Sequence, residues 1–254
     1  MKILAVGDVV GNESVAYLGE RLHAFKRQNC IDFTVINGEN SAKFNGIDSH
    51  SAEALLDAGA DVITTGNHVF RVKPFMEYLD SSHFVIRPAN YPAACPGKGY
   101  GIYDCGFKRI LVINALGRIN TEPADSPFDT VDAILEKEKE NYHIAMLDIH
   151  AEATSEKAAI ARYFDGRIHL IFGTHTHVQT NDARILPNGS GFITDLGMCG
   201  PENSILGVES EIIIERLRRH VSDRFVFAGG DISAHGAIFT LENGKVTDVK
   251  AVKF

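Results

Sequence analysis

The residues best equipped for chemistry follow short apolar runs in the sequence. They carry carboxylate, amide and imidazole groups, and none is a cysteine: Asp8, Glu39, Asn40, Asn67, His68, His150, His175, His177 and Asp195. Oxygen and nitrogen donors of this kind suit Mn, Fe, Zn or Ni rather than an iron–sulfur cluster or a structural zinc site. The sequence therefore predicts a metal site built from side chains of this set.

The pair His175 and His177 is the most specific part of this pattern. The two histidines are two residues apart and follow an apolar run. In an extended segment, residues i and i+2 point to the same face, so we expect both imidazoles to reach one site.

Each of the other residues also has a structural explanation when it is taken alone. Asp8 could cap a helix. Asn40 and Asn67 could be turn residues, which tolerate left-handed backbone conformations. His150 could be a hydrogen-bonded core histidine. A shared metal site explains all of these positions at once, and we adopt it as the working hypothesis.

The apolar runs that precede these residues have the composition of buried β-strands. They cover residues 2–6, 33–37, 62–65, 144–149, 168–172 and 192–194. Amphipathic segments with helical spacing lie between or after them, at about residues 13–28, 49–58, 73–79, 130–141, 155–164 and 209–220. This alternation over the first 180 residues favours an α/β fold with largely parallel strands, and such folds bind ligands at the carboxyl ends of their strands.

The last amphipathic segment has an apolar side made by Ile212, Ile213 and Leu217. We expect this side to face the interior of the protein. The sequence leaves open whether the chain forms homo-oligomers, and the apolar stretch 205–214 is the candidate interface.

The end of the chain has a different pattern. Two alternating runs, at residues 236–242 and 245–252, flank Asn243-Gly244. Asn-Gly between alternating runs is a strong signal for a β-hairpin. No linker of unusual composition interrupts the chain, so we expect residues 1–254 to form a single domain.

Composition excludes several classes of protein. Of 254 residues, 44% are hydrophobic, and 25 Lys and Arg stand against 33 Asp and Glu, a net charge of −8. This content is too apolar for a disordered chain, and an acidic surface disfavours duplex-DNA binding. No run approaches the roughly 18 apolar residues of a membrane span. The N-terminal apolar run is short for a signal peptide, so we expect none there, and we expect the four cysteines to be reduced rather than to form a disulfide framework. We expect a cytoplasmic protein with neither membrane nor duplex-DNA partners.

Taken together, the motifs resemble those of the calcineurin-like metallophosphoesterases. The resemblance covers nearly the whole chain and includes, in order, Gly7-Asp8-x-x-Gly11, Gly38-Glu39-Asn40, Gly66-Asn67-His68, His150 and Gly173-Thr174-His175-Thr176-His177. Two positions depart from the superfamily pattern. Val10 replaces a usual histidine, and Gly38-Glu39-Asn40 replaces the usual Gly-Asp-x-x-Asp. These departures resemble the YmdB-like branch of bacterial phosphodiesterases, as do the segments 148–157 and 195–207.

The resemblance implies both a fold and a metal centre. Residues 1–254 would form a single metallophosphoesterase domain, a four-layer αββα sandwich with two packed mixed β-sheets flanked by helices. The centre would hold two divalent transition-metal ions, with Fe or Mn favoured and Zn an alternative, and the carboxylate of Glu39 would bridge them. The remaining ligands would divide into two sets: Asp8, Asn40 and His177 for one ion, and Asn67, His150 and His175 for the other. A hydroxide between the ions would then be the nucleophile.

Four further residues are assigned less directly. His68 is the candidate general acid, since an imidazole with a pKa of about 6.5 suits proton donation to a leaving oxygen; the alternative is a further ligand or a turn histidine. Asp148 is either a hydrogen-bond partner of the ligand His150 or an ordinary core carboxylate. Asp195 is expected outside the ligand set, and Arg118 is expected to be a surface residue.

The activity implied by the resemblance is hydrolysis of small phosphodiesters, with 2′,3′-cyclic nucleotides as the expected substrates. Two alternatives remain open: a phosphomonoesterase, such as a nucleotidase or protein phosphatase, using the same site, or a regulatory protein that binds a nucleotide or RNA. Two divalent ions would outweigh the negative charges of Asp8 and Glu39. The pocket of this acidic protein would therefore be cationic and able to accept one phosphate ester.

Overall fold

A computed structural model describes residues 1–43, 45–220 and 224–254. Its strands are β1 (Lys2–Val6), β2 (Asp8–Val9), β3 (Phe33–Asn37), β4 (Val62–Thr64), β5 (Tyr100–Cys105), β6 (Lys108–Leu116), β7 (Ile144–His150), β8 (Leu170–Thr174), β9 (Arg184–Ile185), β10 (Gly191–Ile193), β11 (Met198–Pro201), β12 (Ile232–Glu242) and β13 (Lys245–Lys253). Its helices are α1 (Gly11–Asn29), α2 (Ser49–Asp57), α3 (Phe75–Ser81), α4 (Pro127–Glu138), α5 (Thr154–Phe164) and α6 (Ser210–Arg219). In the described ranges, none of these helices is long and apolar enough to cross a bilayer.

The strands form two mixed sheets. The first has the order β2-β11-β12-β1-β3-β4, with β13 beside β12, and the second has the order β5-β6-β7-β8-β10-β9. Within the first sheet β1, β3 and β4 are parallel, and within the second β7, β8 and β10 are parallel. The six strands predicted from the sequence are therefore shared equally between two sheets. They do not end at one edge of a single sheet.

Alternation along the strands produces the layers. In β1, Ile3 and Ala5 belong to the core between the two sheets, whereas Leu4 and Val6 face the core beneath α1, α2 and α3. On the far side of the second sheet, residues such as Leu147 pack against α4 and α5. Successive side chains of a strand point to opposite faces, so each sheet is covered on both sides. This confirms the four-layer αββα arrangement.

The C-terminal hairpin is confirmed. β12 and β13 are antiparallel, and Asn243 and Gly244 between them have φ values of 50° and 77°. Two consecutive positive φ values are the geometry that favours Asn-Gly in tight hairpins. β12 also pairs antiparallel with β1, so this hairpin forms part of the first sheet.

The expectation for the last helix is wrong. None of the side chains of α6, all within the described ranges, is buried, and Leu217 is 72% exposed. α6 lies outside the three cores because the loops before and after it pair with each other, at Val208 and Phe227. The guanidinium of Arg216 lies over the ring of Phe225, at 4.8 Å from its centre. The helix therefore packs on its own flanking loops rather than on a sheet.

Five strands were not identified from the sequence: β2, β5, β6, β9 and β11. The longest of them is β6. β6 is central in the second sheet, between β5 and β7. It lacks the feature that marked the other strands, because Leu116-Gly117 at its end carries no ionisable group.

Candidate metal centre

The predicted site residues meet where the carboxyl ends of strands from both sheets adjoin. Asp8 begins β2, directly after β1. Two further strands of the first sheet precede site residues: Glu39 and Asn40 follow β3, and Asn67 and His68 follow β4. In the second sheet, His150 ends β7, and His175 and His177 follow β8. Parallel strands present their carboxyl ends at one edge, and the packing of the two sheets joins the two edges into one site.

Four residues converge on one point, and we call them the inner group: Glu39, Asn67, His150 and His175. The Nε2 atom of His150 lies 3.2 Å from Glu39 Oε2, 3.1 Å from Asn67 Oδ1 and 3.0 Å from His175 Nδ1. One ring nitrogen cannot donate to three such atoms at once, because it carries at most one proton. A cation among them would bind all four donor atoms.

Three residues form the outer group: Asp8, Asn40 and His177. His177 Nε2 lies 3.3 Å from Asn40 Nδ2 and 3.7 Å from Asp8 Oδ1. Glu39 lies between the two groups, since its Oε1 accepts a hydrogen bond from Asn40 Nδ2 at 2.9 Å while its Oε2 faces His150.

The donor set fits divalent cations on two structural observations. Asp8 Oδ1 is fully buried and has no hydrogen-bond partner among the described residues. Buried carboxylate oxygens are ordinarily paired, because desolvating them without a partner is costly. In addition, a Cβ atom on Gly66 would overlap both Glu39 Oε2 and His150 Nε2. A glycine at this position keeps clear the space in which those two donors meet.

The local geometry of the histidine pair differs from the expected one. His175 and His177 have φ values of 99° and 62°, so this segment is a turn and not an extended strand. The two imidazoles consequently diverge: His175 contacts His150, and His177 contacts Asn40. The expectation that both rings lie on one strand face is wrong, but the turn brings one ring to each group.

A buried hydrogen-bond network supports His150 from behind. Thr174 Oγ1 donates to Asp148 Oδ1 at 2.7 Å and lies 2.9 Å from His150 Nδ1. Asp148 Oδ2 accepts hydrogen bonds from Thr64 Oγ1 at 2.5 Å and from Asn37 Nδ2 at 3.2 Å. With its proton directed to Asp148, Thr174 accepts from His150 Nδ1–H. In the neutral imidazole, which is the form that binds a metal, the Nε2 lone pair then faces the site, and this arrangement orients ligand histidines in metalloproteins.

Burial and mutual interaction shift the ionisation of the cluster. Burial raises the pKa of Glu39, but His150 and His68 outweigh it and hold the pKa of this carboxyl well below its usual range. Burial also lowers the pKa of His150, yet Glu39 raises it to about 9 overall. Burial and the neighbouring His150 lower the pKa of His175 to about 3. Burial raises the pKa of Asp8. Glu39 is therefore ionised and His175 neutral, the forms in which each can bind a metal.

His68 lies beside both groups rather than within them. Its Nδ1 is 2.8 Å from Asn40 Oδ1 and 3.3 Å from Glu39 Oε1, and its backbone N–H donates to Glu39 Oε2 at 3.1 Å. The side chain is 18% exposed and lines a cavity. Its backbone thus positions the carboxylate while its ring faces the space open to a ligand.

That cavity has a volume of about 490 Å³ and lies directly over the donor atoms. Donor and neighbouring side chains form its floor, an apolar wall comes from α6 and the loops around it, and the rim carries three basic residues and one acidic residue: Glu39, Asn40, His68, His175 and His177 in the floor, Ile205, Leu206, Val208, Ile213, Phe225 and Phe227 in the wall, and Lys43, Arg71, Arg224 and Glu152 at the rim. The volume is typical of a small-molecule site.

Two residues left open by the sequence lie outside the donor cluster. Asp195 accepts a hydrogen bond from Thr176 Oγ1 at 2.7 Å, behind the histidine turn. The backbone N–H of Arg118 donates to Glu156 Oε1 at 2.8 Å, and its side chain does not line the cavity.

Sequence reasoning missed three supporting residues that the structure places next to the site. Asn37 and Thr174 each end a strand. Asn37 directly precedes the motif Gly38-Glu39-Asn40, and Thr174 lies inside the motif that contains His175, so their positions were an available signal. Lys157 shares helical spacing with the buried Ile160 and Phe164 of α5, which marks it as an inward-facing lysine.

Comparison with known proteins agrees with this architecture. A family model described as YmdB-like protein matches residues 4–252. The chain belongs to the YmdB-like family. A relative in Bacillus subtilis named 2′,3′-cyclic-nucleotide 2′-phosphodiesterase is 40% identical over 250 residues, which cover 98% of this chain and 95% of that protein.

Two solved structures of similar proteins have the same fold. A hypothetical protein from Thermus thermophilus is 36% identical, with a TM-score of 0.95 over all of this chain and 99% of that one. A structure described as a novel phosphatase, from Mycoplasma pneumoniae, is 29% identical, with a TM-score of 0.92 over all of this chain and 93% of that one. Membership of the YmdB-like family, expected from the motifs, is thereby confirmed.

Proposed function

We propose that this protein is a metal-dependent phosphodiesterase that hydrolyses small phosphodiesters, with 2′,3′-cyclic nucleotides as its substrates. The observation that carries the proposal is the convergence of oxygen and nitrogen donors at the floor of a cavity of about 490 Å³, beside Asp8 Oδ1, which has no hydrogen-bond partner among the described residues. The name of the Bacillus subtilis relative supports the choice of substrate.

The proposed ligands are the inner and outer groups, with the carboxylate of Glu39 shared between them. Imidazole, amide and carboxylate donors favour Fe or Mn, and Zn also accepts them. When bound, two divalent ions in such a site activate water and neutralise charge that develops on the phosphate oxygens. The chain's own contribution is to fix the donors and to exclude water from around the ester.

His68 is proposed to hold the proton that the leaving oxygen receives. Asn40 Oδ1, 2.8 Å from His68 Nδ1, keeps the ring directed into the cavity. The backbone N–H of His68 restrains Glu39 at the same time. A general acid of this type contributes rate factors of about 10²–10⁴.

The cavity suits an ester that has one anionic and one apolar part. Arg71 at the rim attracts the phosphate, and its field acts over a short distance in this otherwise acidic protein. The apolar wall, which includes Phe225 and Phe227, can accept a nucleobase. A phosphodiester with a flat aromatic substituent therefore matches both surfaces.

The decisive variant is Glu39→Gln, which keeps the shape of the side chain and removes the charge shared by both groups. Hydrolysis of 2′,3′-cyclic AMP and of bis(p-nitrophenyl) phosphate should fall by at least about 10²-fold, since electrostatic stabilisation is lost. Metal content measured by mass spectrometry should fall as well. Glu20→Gln, on the exposed side of α1, is the matched control.

Two outcomes would contradict the proposal. If Glu39→Gln retains the wild-type rate and metal content, Glu39 does not bridge cations. If the wild-type enzyme cleaves p-nitrophenyl phosphate but neither diester, the site belongs to a phosphomonoesterase.

A further inference from the structure

A buried ion pair lies behind the donor cluster and has no part in the proposed chemistry. Lys157 Nζ is 2.6 Å from Asp195 Oδ2, and the two side chains are 0% and 1% exposed. Lysine is almost never fully buried, and removing two charges from water is costly unless their mutual attraction and hydrogen bonds offset the loss of hydration. The stability of the core alone does not explain a buried pair of this kind.

The other hydrogen bonds of the Asp195 carboxylate lead towards both groups of donors. Its Oδ2 also accepts from Thr176 Oγ1 at 2.7 Å and from the Thr176 backbone N–H at 3.2 Å. Its Oδ1 accepts from the backbone N–H of Gly197 at 2.9 Å. The carbonyl of Gly197 in turn accepts from the backbone N–H of Asp8 at 3.1 Å.

Thr176 is the residue between the two histidines of the turn. Both neighbours have a left-handed backbone, with φ of 99° at His175 and 62° at His177. Such conformations are strained for residues other than glycine and persist only when the surroundings impose them. Hydrogen bonds to an ionised acceptor are about twice as strong as neutral ones. The Asp195 carboxylate, with its countercharge from Lys157, is placed to impose this turn.

The connection from Asp195 through Gly197 to Asp8 depends on the close approach of Gly7 to Gly197. A Cβ atom on Gly7 would overlap the Gly197 carbonyl oxygen. Only glycine at position 7 lets the Asp8 segment come close enough to be held by the loop that Asp195 organises.

We propose that Lys157 and Asp195 are positioning residues for divalent-cation binding: through Thr176 and Gly197 they hold His175, His177 and Asp8 in the arrangement that accepts the ions. This inference rests on the proposed metal site. Neither residue touches the cavity, so both act through the residues they hold.

The first test removes one hydroxyl. In the metal-free full-length protein, Thr176→Val should weaken Mn²⁺ binding, measured by titration calorimetry, by about 10–100-fold, the usual effect of losing a partner of the ligands. Thr176→Ser, which retains the hydroxyl, should restore most of the affinity. Ser190→Ala is the control, since it removes a buried hydroxyl that bonds Ile168 at the opposite end of β10 and should leave Mn²⁺ affinity unchanged.

The second test addresses the ion pair itself. Lys157→Met should weaken Mn²⁺ binding to a similar degree while circular dichroism reports a folded protein. In steady-state assays on 2′,3′-cyclic AMP at saturating Mn²⁺, kcat should recover while KM for the substrate stays near the wild-type value. If Lys157→Met does not fold, Thr176→Val alone decides.

Different results would contradict the metal-dependent function and the positioning role of Lys157 and Asp195. If wild-type protein binds none of Mn²⁺, Fe²⁺ and Zn²⁺, the metal-dependent function is wrong. If wild-type protein binds Mn²⁺ and folded Thr176→Val binds it equally well, the positioning role is overturned whatever the catalytic rate. A loss in Thr176→Val that Thr176→Ser does not restore would also overturn it, because the hydroxyl would not be the cause.

Discussion

The inner and outer groups of the candidate centre are built differently. In the inner group, the donors closest to His150 Nε2 lie 3.0–3.2 Å from it, and His150 is fully buried. In the outer group, His177 lies 3.3 Å from Asn40 and 3.7 Å from Asp8, whose Oδ1 is unpartnered among the described residues. His177 is also held at its Nδ1 by the carbonyl of Leu206, 3.0 Å away in the cavity wall.

The core therefore prearranges one half of the site, whereas the other half depends on the loops that line the cavity. The inner group is backed by Thr174 and Asp148, which lie in buried strands of the second sheet. Prearranged donors bind more tightly, because less is lost in ordering them. We therefore expect the inner group to hold its ion more firmly, and the outer ion to exchange more readily beside the substrate.

The largest expected effect compares a ligand from each group. His150→Ala should remove both ions and reduce diester hydrolysis by more than about 10³-fold, because the shared Glu39 loses its partner and the charge stabilisation is lost. His177→Ala should leave about one of the two ions expected for such a site. Metal analysis after gel filtration measures both. Equal metal loss in the two variants would contradict the proposed asymmetry.

The intermediate effect separates catalysis from binding. His68→Ala should lower kcat by about 10²-fold or more, as expected for loss of a general acid. Its metal content should remain at the wild-type level, because His68 is not one of the proposed ligands. A variant with full metal content and an unchanged kcat would remove His68 from the mechanism and would leave the two metal groups as the whole of the active site.

The smallest effect tests the support of the inner group. Thr174→Val removes the hydroxyl between Asp148 and His150 and should weaken the tighter Mn²⁺ site by about 10-fold. Thr174→Ser keeps the hydroxyl and should behave like wild type. The measurement is a calorimetric titration of the metal-free protein. If Thr174→Val weakens only the looser site, the network supports the outer group, and the proposed difference between the two groups is wrong.

Much of the candidate site could be predicted because the ends of buried strands can be recognised from the sequence. Asp8, Glu39 and His150 each follow or end a buried apolar run, and the topology of α/β folds brings such positions together. The motifs then indicated the family and the four-layer fold, both of which the comparisons and the structure confirm.

The rest could not be predicted because it depends on backbone conformation and on contacts between distant segments. The positive φ values at His175 and His177 follow from tertiary restraints that a local pattern does not encode. The pairing of Lys157 with Asp195 joins two segments 38 residues apart. α6 has the pattern of a core helix, yet it packs on its flanking loops, which periodicity alone cannot distinguish.

The position of β12 in the first sheet has a consequence for how the protein is made. β1, which leads directly to Asp8, pairs with β3 on one side and with β12 on the other, so Ile3 lies opposite Phe239. During synthesis on the ribosome, residues 232–242 emerge long after β1 and β3. Until then β1 is an unprotected edge, open to wrong pairing with other chains. Contacts of such long sequence separation also slow folding. The nascent chain therefore contains all of its proposed ligands well before it can complete the sheet that holds the first of them.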